Sequence, residues 1–209
     1  MATVREATYD LLRALGLTTV FGNPGSTEEP FLQEFPADFH YVHALQEASA
    51  VAMADGYAQS TGRPAHVNLH TAPGTGNGMG NLVTAWHNRT PLIVSAGQQT
   101  REMLLIEPRL ASPRAVELAQ PYVKWAHEPA RAQDIPAAFM RAYASAVQPP
   151  AGPVFLSLPM DDWDRPADPP PQVRTVATRI APDPDRLRSF VDALAAAHAP
   201  ALVLGAAVD

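Results

Sequence analysis

Residues 65–77 read Ala65-His66-Val67-Asn68-Leu69-His70-Thr71-Ala72-Pro73-Gly74-Thr75-Gly76-Asn77, an apolar run that stops in a proline–glycine turn. Ala65 to Leu69 has the length and character of a buried strand, and a helix rich in glycine at its start is predicted within Gly76 to Trp86. The same alternation continues on both sides. Upstream, Thr3-Val4-Arg5-Glu6 has capping-box spacing, and Val4, Ala7, Leu11 and Leu15 recur at helical intervals until Gly16. A strand over Thr18 to Phe21 is broken by Gly22-Asn23-Pro24-Gly25. A short helix over Ser26 to Phe35, a strand over Phe39 to Val42 and a small-residue helix over Gln46 to Ser60 complete that side. Downstream come a strand at Leu92 to Ser95, helices near Pro113 to Leu118 and Asp134 to Val147, and a strand at Val154 to Leu158. Apolar strands alternating with helices predict an α/β fold, a parallel sheet with helices on both faces.

The composition excludes several alternatives. Hydrophobic residues make up 46% and charged residues 17% of 209, which suits a chain that buries a core. With no cysteine there is neither a disulfide framework nor a thiolate metal site. The net charge is −6, and fourteen Arg and one Lys lie scattered without a basic run, so no nucleic-acid partner is expected. Residues 1–20 carry Arg5, Glu6, Asp10 and Arg13 in a helical rhythm unlike a signal peptide. The longest uncharged stretch, Pro64 to Asn88, holds three His, four Asn and four Gly, too polar to span a membrane. A soluble, cytoplasmic protein with no membrane partner is the expectation.

Three units are predicted along the chain. Residues 1–160 form the α/β domain. Ten of the 22 prolines fall between Pro149 and Pro184, and residues 161–182 read as a stiff, proline-rich linker. Residues 183–209 carry a helical pattern from Asp183 to Ala197 and a predicted strand at Ala201 to Leu204. One helix and one strand cannot enclose a core, so this segment reads as the opening of a second, truncated α/β domain.

Several residues could carry chemistry, each with a plainer reading beside it. Gly22-Asn23-Pro24-Gly25-Ser26 lies where a strand ends, the place where ligands of open α/β sheets collect, although Ser26-Thr27-Glu28-Glu29 is also a capping box. Glu47 heads a helix whose next residues are Ala48, Ser49, Ala50, Val51, Ala52 and Met53. Its carboxylate either answers the helix dipole or is buried as a proton donor or acceptor. His70 ends a strand and is suited to proton transfer, or is an ordinary satisfied histidine. His66 and His70 have a zinc-like spacing, but no Cys and no nearby carboxylate adds a third ligand, so no metal is assigned. The alternating Gly74, Gly76, Gly78 and Gly80 match neither a dinucleotide fingerprint nor a phosphate-binding loop.

Taken together, the segments resemble the thiamine diphosphate-dependent decarboxylase family. The resemblance rests on Val20-Phe21-Gly22-Asn23-Pro24-Gly25-Ser26, Ala44-Leu45-Gln46-Glu47-Ala48, Ala54-Asp55-Gly56-Tyr57-Ala58-Gln59 and Asn68-Leu69-His70 with Gly74-Thr75-Gly76-Asn77. It continues through Ser95-Ala96-Gly97-Gln98-Gln99-Thr100-Arg101, Val123-Lys124-Trp125, Gly152-Pro153-Val154 and Asp161-Asp162-Trp163-Asp164. Ser26 and His70 resemble the benzoylformate-decarboxylating branch, whereas acetolactate synthase-like members commonly carry a small hydroxyl residue where this chain has His70.

The resemblance implies a lyase that decarboxylates an aryl 2-oxo acid non-oxidatively, benzoylformate to benzaldehyde and carbon dioxide, as in a mandelate pathway. The alternatives are an acetolactate synthase-like carboligase and a noncatalytic α/β interaction fragment. Thiamine diphosphate is the implied cofactor, and residues 1–160 would be its pyrimidine-binding domain. Glu47 would hydrogen-bond the aminopyrimidine ring nitrogen. Pro24, Gly25 and Asn77 would line the cofactor and substrate pocket. Ser26 and His70, with Gly25, would bind the substrate, His70 handling protons. The implied Mg2+ would be held outside this chain, because the Gly-Asp-Gly motif that accompanies it is absent from the 209 residues. A homo-oligomer, a dimer of dimers, is implied, and the chain alone would be inactive.

Overall fold

The computed structural model describes residues 2–205. Six strands form one sheet: β1 (Thr19–Gly22), β2 (His40–His43), β3 (Ala65–Leu69), β4 (Leu92–Gln98), β5 (Ala126–His127) and β6 (Val154–Pro159). Their spatial order is β2-β1-β3-β4-β6-β5, and every pairing is parallel. Two buried clusters cover the two faces, as the apolar strands require. Helices α1 (Val4–Ala14) and α6 (Ile135–Val147) pack on one face; α3 (Glu47–Thr61), α4 (Thr71–His87) and the short α5 (Ala115–Leu118) pack on the other. No helix of the described residues is long and apolar enough to cross a membrane.

The first helix forms as its sequence predicts, with both arms of the capping box between Thr3 and Glu6 present. The short helix expected over Ser26 to Phe35 shrinks to α2 (Glu29–Leu32). Pro30 is tolerated only in a first turn, which fixes the start, and Glu34 turns left-handed at φ 52 just beyond the end. Phe31 anchors this turn, stacked on Tyr9 at 5.0 Å and tilted against Trp163 at 4.8 Å. In the opposite sense, α4 begins at Thr71 rather than near Gly76. Pro73 does not prevent this, because the amides of a first helical turn have no intrahelical partner in any case. Its buried residues Thr71, Gly74, Thr75, Gly78, Leu82 and Ala85 follow a helical period.

Residues 161–167 fold back onto α1. The amide of Arg5 donates to Trp163 O at 3.0 Å, and that of Ala167 donates to Ala2 O at 2.9 Å. Arg101 clamps Asp162 with two bonds of 2.9 and 2.7 Å, tying the segment after β4 to the one after β6. Residues 168–182 have no regular structure, and α7 (Pro184–Ala196) buries no side chain. The strand expected at Ala201 to Leu204 does not form: residues 201–205 are irregular, and Leu202, Val203 and Leu204 are exposed. A strand needs a neighbour to satisfy its backbone, and none of the described strands pairs with this segment. The last four residues of the 183–209 unit lie outside the described residues.

His66 gives the fold a pH dependence. It is fully buried, with its Nε2 2.8 Å from Ser95 Oγ, and burial pushes its pKa down to about 3. The unfolded chain binds a proton on this ring more readily. Its contribution to stability is therefore complete above pH 6.5 and is lost as pH falls toward about 3. Urea unfolding at pH 7.5 and 4.5 is expected to show roughly 2–3 kcal/mol more acid destabilisation in the wild type than in His66→Asn. Equal losses in the two would contradict this.

Candidate active site

All six strands run in one direction, so their carboxyl ends share an edge. Residue Gly22 of β1 lies between His43 of β2 and Asn68 of β3 in register, and Asn68 faces Ser95 of β4. The chain leaves β1 toward β2 and leaves β3 toward β4, in opposite directions. The crevice above β1 and β3 is thus the switch point where such sheets bind ligands. Asn23, Pro24 and Gly25 follow β1, and His70 follows β3 at this crevice.

Glu47 is the first residue of α3 and is 8% exposed, so the small-residue helix does bury its leading carboxylate. Asn23 Nδ2 donates to Oε1 and Asn77 Nδ2 donates to Oε2, both at 3.1 Å. Each oxygen keeps a further lone pair. Gly74 packs between the two candidate residues: a Cβ there would lie 3.3 Å from Glu47 Cγ and 3.3 Å from His70 Cβ. The structure therefore brings Glu47, His70 and Asn77 together.

His70 is held from the other side. Its Nδ1 lies 2.8 Å from Glu28 Oε2 and 3.1 Å from Thr27 Oγ1. The bond to Glu28 raises the pKa of the imidazole above 6.5; partial burial opposes this, and the charges of Glu28 and Glu47 reinforce it. Next to the ring, Thr71 adopts a left-handed φ of 42, strain in a β-branched residue at the site itself. Gly25 lies against the ring, where a Cβ would come within 2.4 Å of Nδ1. Ser26 is exposed on an open depression of about 450 Å³, lined also by Pro24, Gly25, Glu29, Leu32 and Gln33. The capping box that offered it a purely structural role is not formed: Glu28 is the N-cap of α2, and no side chain caps that helix. His66 does not join His70, being committed to Ser95 and to the rings of Phe31 and Phe139 on the α1/α6 face.

Sequence reasoning missed Glu28 as a site residue and gave Asn23 no role. Glu28 was masked by its place in an apparent capping box. No local signal marks it, because the glycines that shape its seat are far apart in sequence and serve different groups, Gly97 making room for the carboxylate and Gly25 for the His70 ring.

The chain is thus a doubly wound α/β domain that gathers a buried carboxylate and an imidazole at its switch point, the place where such sheets bind ligands. The chain belongs to the family described as "Thiamine pyrophosphate enzyme, N-terminal TPP binding domain", whose sequence pattern matches residues 2–118. Among curated proteins it is 51% identical over its whole length to benzoylformate decarboxylase of Pseudomonas aeruginosa, of which it spans 40%. Two solved structures share the fold closely. A putative thiamin diphosphate-dependent enzyme from Mycobacterium smegmatis superposes with a TM-score of 0.91 at 65% identity, covering 95% of this chain and 38% of that one. Benzoylformate decarboxylase from Polynucleobacter necessarius superposes with a TM-score of 0.90 at 60% identity, covering 94% and 37%. The chain thus spans about 40% of the length of the curated relative.

Proposed function

We propose that this chain is the pyrimidine-binding part of a thiamine diphosphate-dependent lyase that converts an aryl 2-oxo acid, benzoylformate, to benzaldehyde and carbon dioxide. The observation that carries the reading is Glu47, a buried carboxylate at a helix start whose two oxygens each accept one amide and keep one acceptor site. Such a group fits a ring nitrogen with which it can share a proton in a dry site. Thiamine diphosphate, when bound, supplies the electron sink that lets carbon dioxide leave a 2-oxo acid.

The chain's own residues supply the rest. Asn23 and Asn77 fix the Glu47 carboxylate, and Pro24, Gly25 and Asn77 line the pocket beside it. Ser26, exposed at the rim, donates its hydroxyl hydrogen to the substrate carboxylate. His70 holds and delivers a proton at the former carbonyl oxygen, and the Glu28 carboxylate bonded to its ring raises its pKa and so favours the protonated form. Residues 1–160 act as the pyrimidine-binding domain, with the first stretch of the 161–182 linker, 161–167, packed onto it, and 183–209 act as the start of a central domain. Mg2+ and the diphosphate are held by residues outside the 209, and the working enzyme is a cytoplasmic homo-oligomer, a dimer of dimers.

Product analysis with benzoylformate and with pyruvate tests the reading in the holoenzyme. Benzaldehyde and carbon dioxide are expected from the first; acetolactate from the second as the main product would instead favour a carboligase. The 209 residues alone, given cofactor and magnesium, are expected to release no benzaldehyde. Replacing Ser26 by Ala is expected to raise KM for benzoylformate by about tenfold or more, the value of a hydrogen bond to a charged group. An unchanged KM would remove Ser26 from substrate binding.

A further inference from the structure

We propose that Glu28 is the positioning residue of His70: it fixes the imidazole with its proton on Nδ1 and leaves Nε2 as the acid–base nitrogen. The inference rests on the reading of His70 as the proton-handling group of the site.

The donor and acceptor balance around the Glu28 carboxylate points to this arrangement. The carboxylate is 1% exposed, against 21% for the His70 side chain. Its Oε1 accepts the amide of Gly97 at 2.8 Å and the hydroxyl of Thr27 at 2.7 Å. Its Oε2 accepts the amide of Gly25 at 2.8 Å and faces His70 Nδ1 at 2.8 Å. An ionised carboxylate only accepts, so Nδ1 is the donor. Thr27 fits the same arrangement. Its single hydroxyl hydrogen is given to Glu28, so toward Nδ1, 3.1 Å away, its oxygen can only accept.

The backbone is shaped to make this contact. A Cβ on Gly25 would lie 2.4 Å from Nδ1, 2.5 Å from Cε1 and 2.7 Å from Cγ of His70. One on Gly97 would lie 2.0 Å from Glu28 Oε1. Glycines after β1 and in β4 therefore admit a carboxylate and a ring that come from α2 and β3. A ring so held has its tautomer and its orientation set by the partner of its other nitrogen. The charges that bear on it are those of Glu28, from the start of α2, and Glu47, from the start of α3.

Two-bond proton–nitrogen correlation spectra of the 209-residue chain, with His70 assigned by loss of its signals in His70→Asn, test the proposal. The wild type is expected to show the Nδ1–H tautomer when neutral and to titrate above 6.5. In Glu28→Gln the pKa is expected to fall to or below the ordinary imidazole value. An Nε2–H tautomer in the wild type, or an unmoved pKa in Glu28→Gln, would overturn it. The wild-type tautomer needs no variant, so the test survives if Glu28→Gln fails to fold. In the holoenzyme, Glu28→Gln is expected to lower kcat by about tenfold or more near neutral pH and to move the His70 limb of the pH profile to lower pH. Wild-type turnover from His70→Ala would remove the acid–base reading of His70 while leaving the tautomer result to stand on its own.

Discussion

Replacing Glu47 by Gln in the holoenzyme is expected to lower kcat by at least about 100-fold, the low end of what a positioned acid–base group supplies. The substitution is nearly isosteric, so lost packing cannot account for such an effect. What changes is the chemistry of two oxygens. Asn23 and Asn77 each aim an amide N–H at Glu47, one at either oxygen. A glutamine presents its own NH2 to one of them, so one bond is lost at a cost of about 1 kcal/mol, and the group can no longer take up or release a proton. The variant is therefore expected to fold and to fail in turnover. Steady-state kinetics with benzoylformate, together with a melting curve, check both halves. Wild-type kcat would remove Glu47 from the mechanism.

The largest effect on stability is expected from Gly97→Ala. Gly97 lies in β4, with β3 on one side and β6 on the other. Its missing side chain is replaced by Glu28 and Thr27: a Cβ would meet Glu28 Oε1 at 2.0 Å and Thr27 Oγ1 at 2.5 Å. Neither neighbour can swing into solvent, because both are buried and bonded to each other at 2.7 Å. Overpacking of this kind costs about 3 kcal/mol, and displacing the carboxylate leaves the amides of Gly25 and Gly97 without their acceptor. A loss of about 3 kcal/mol or more is expected, a fall in Tm of roughly 6–12 °C for a domain of this size. An unchanged Tm would mean that the Glu28 seat is not as rigid as the geometry requires.

How much of this was legible in the sequence depended on whether the signal was local. β3 is found at Ala65–Leu69, as its apolar run predicts, and α1 carries the capping box that Thr3 and Glu6 spell out. The extent of the loops was less legible. Pro30 and Glu34 cut α2 to four residues, and the glycines that suggested a late start for α4 lie inside it. The two-residue β5 left no pattern to find, since it is defined only by its pairing with β6. At the site, Glu47 could be suspected because a lone carboxylate headed an apolar helix. Glu28 could not, because its four partners come from Gly25, Thr27, His70 and Gly97, and nothing local marks Gly97 and His70 as its neighbours.

The proposed mechanism has the Glu47 carboxylate, at the switch point of this sheet, activate a bound thiamine diphosphate. It is tested most directly by the rate at which the cofactor's thiazolium C2 proton exchanges with D2O in the holoenzyme, measured by quenched-flow proton NMR without substrate. Exchange is expected to be fast in the wild type and slower by about 100-fold or more in Glu47→Gln, with the cofactor bound in both. Equal exchange rates in the two proteins would contradict the account.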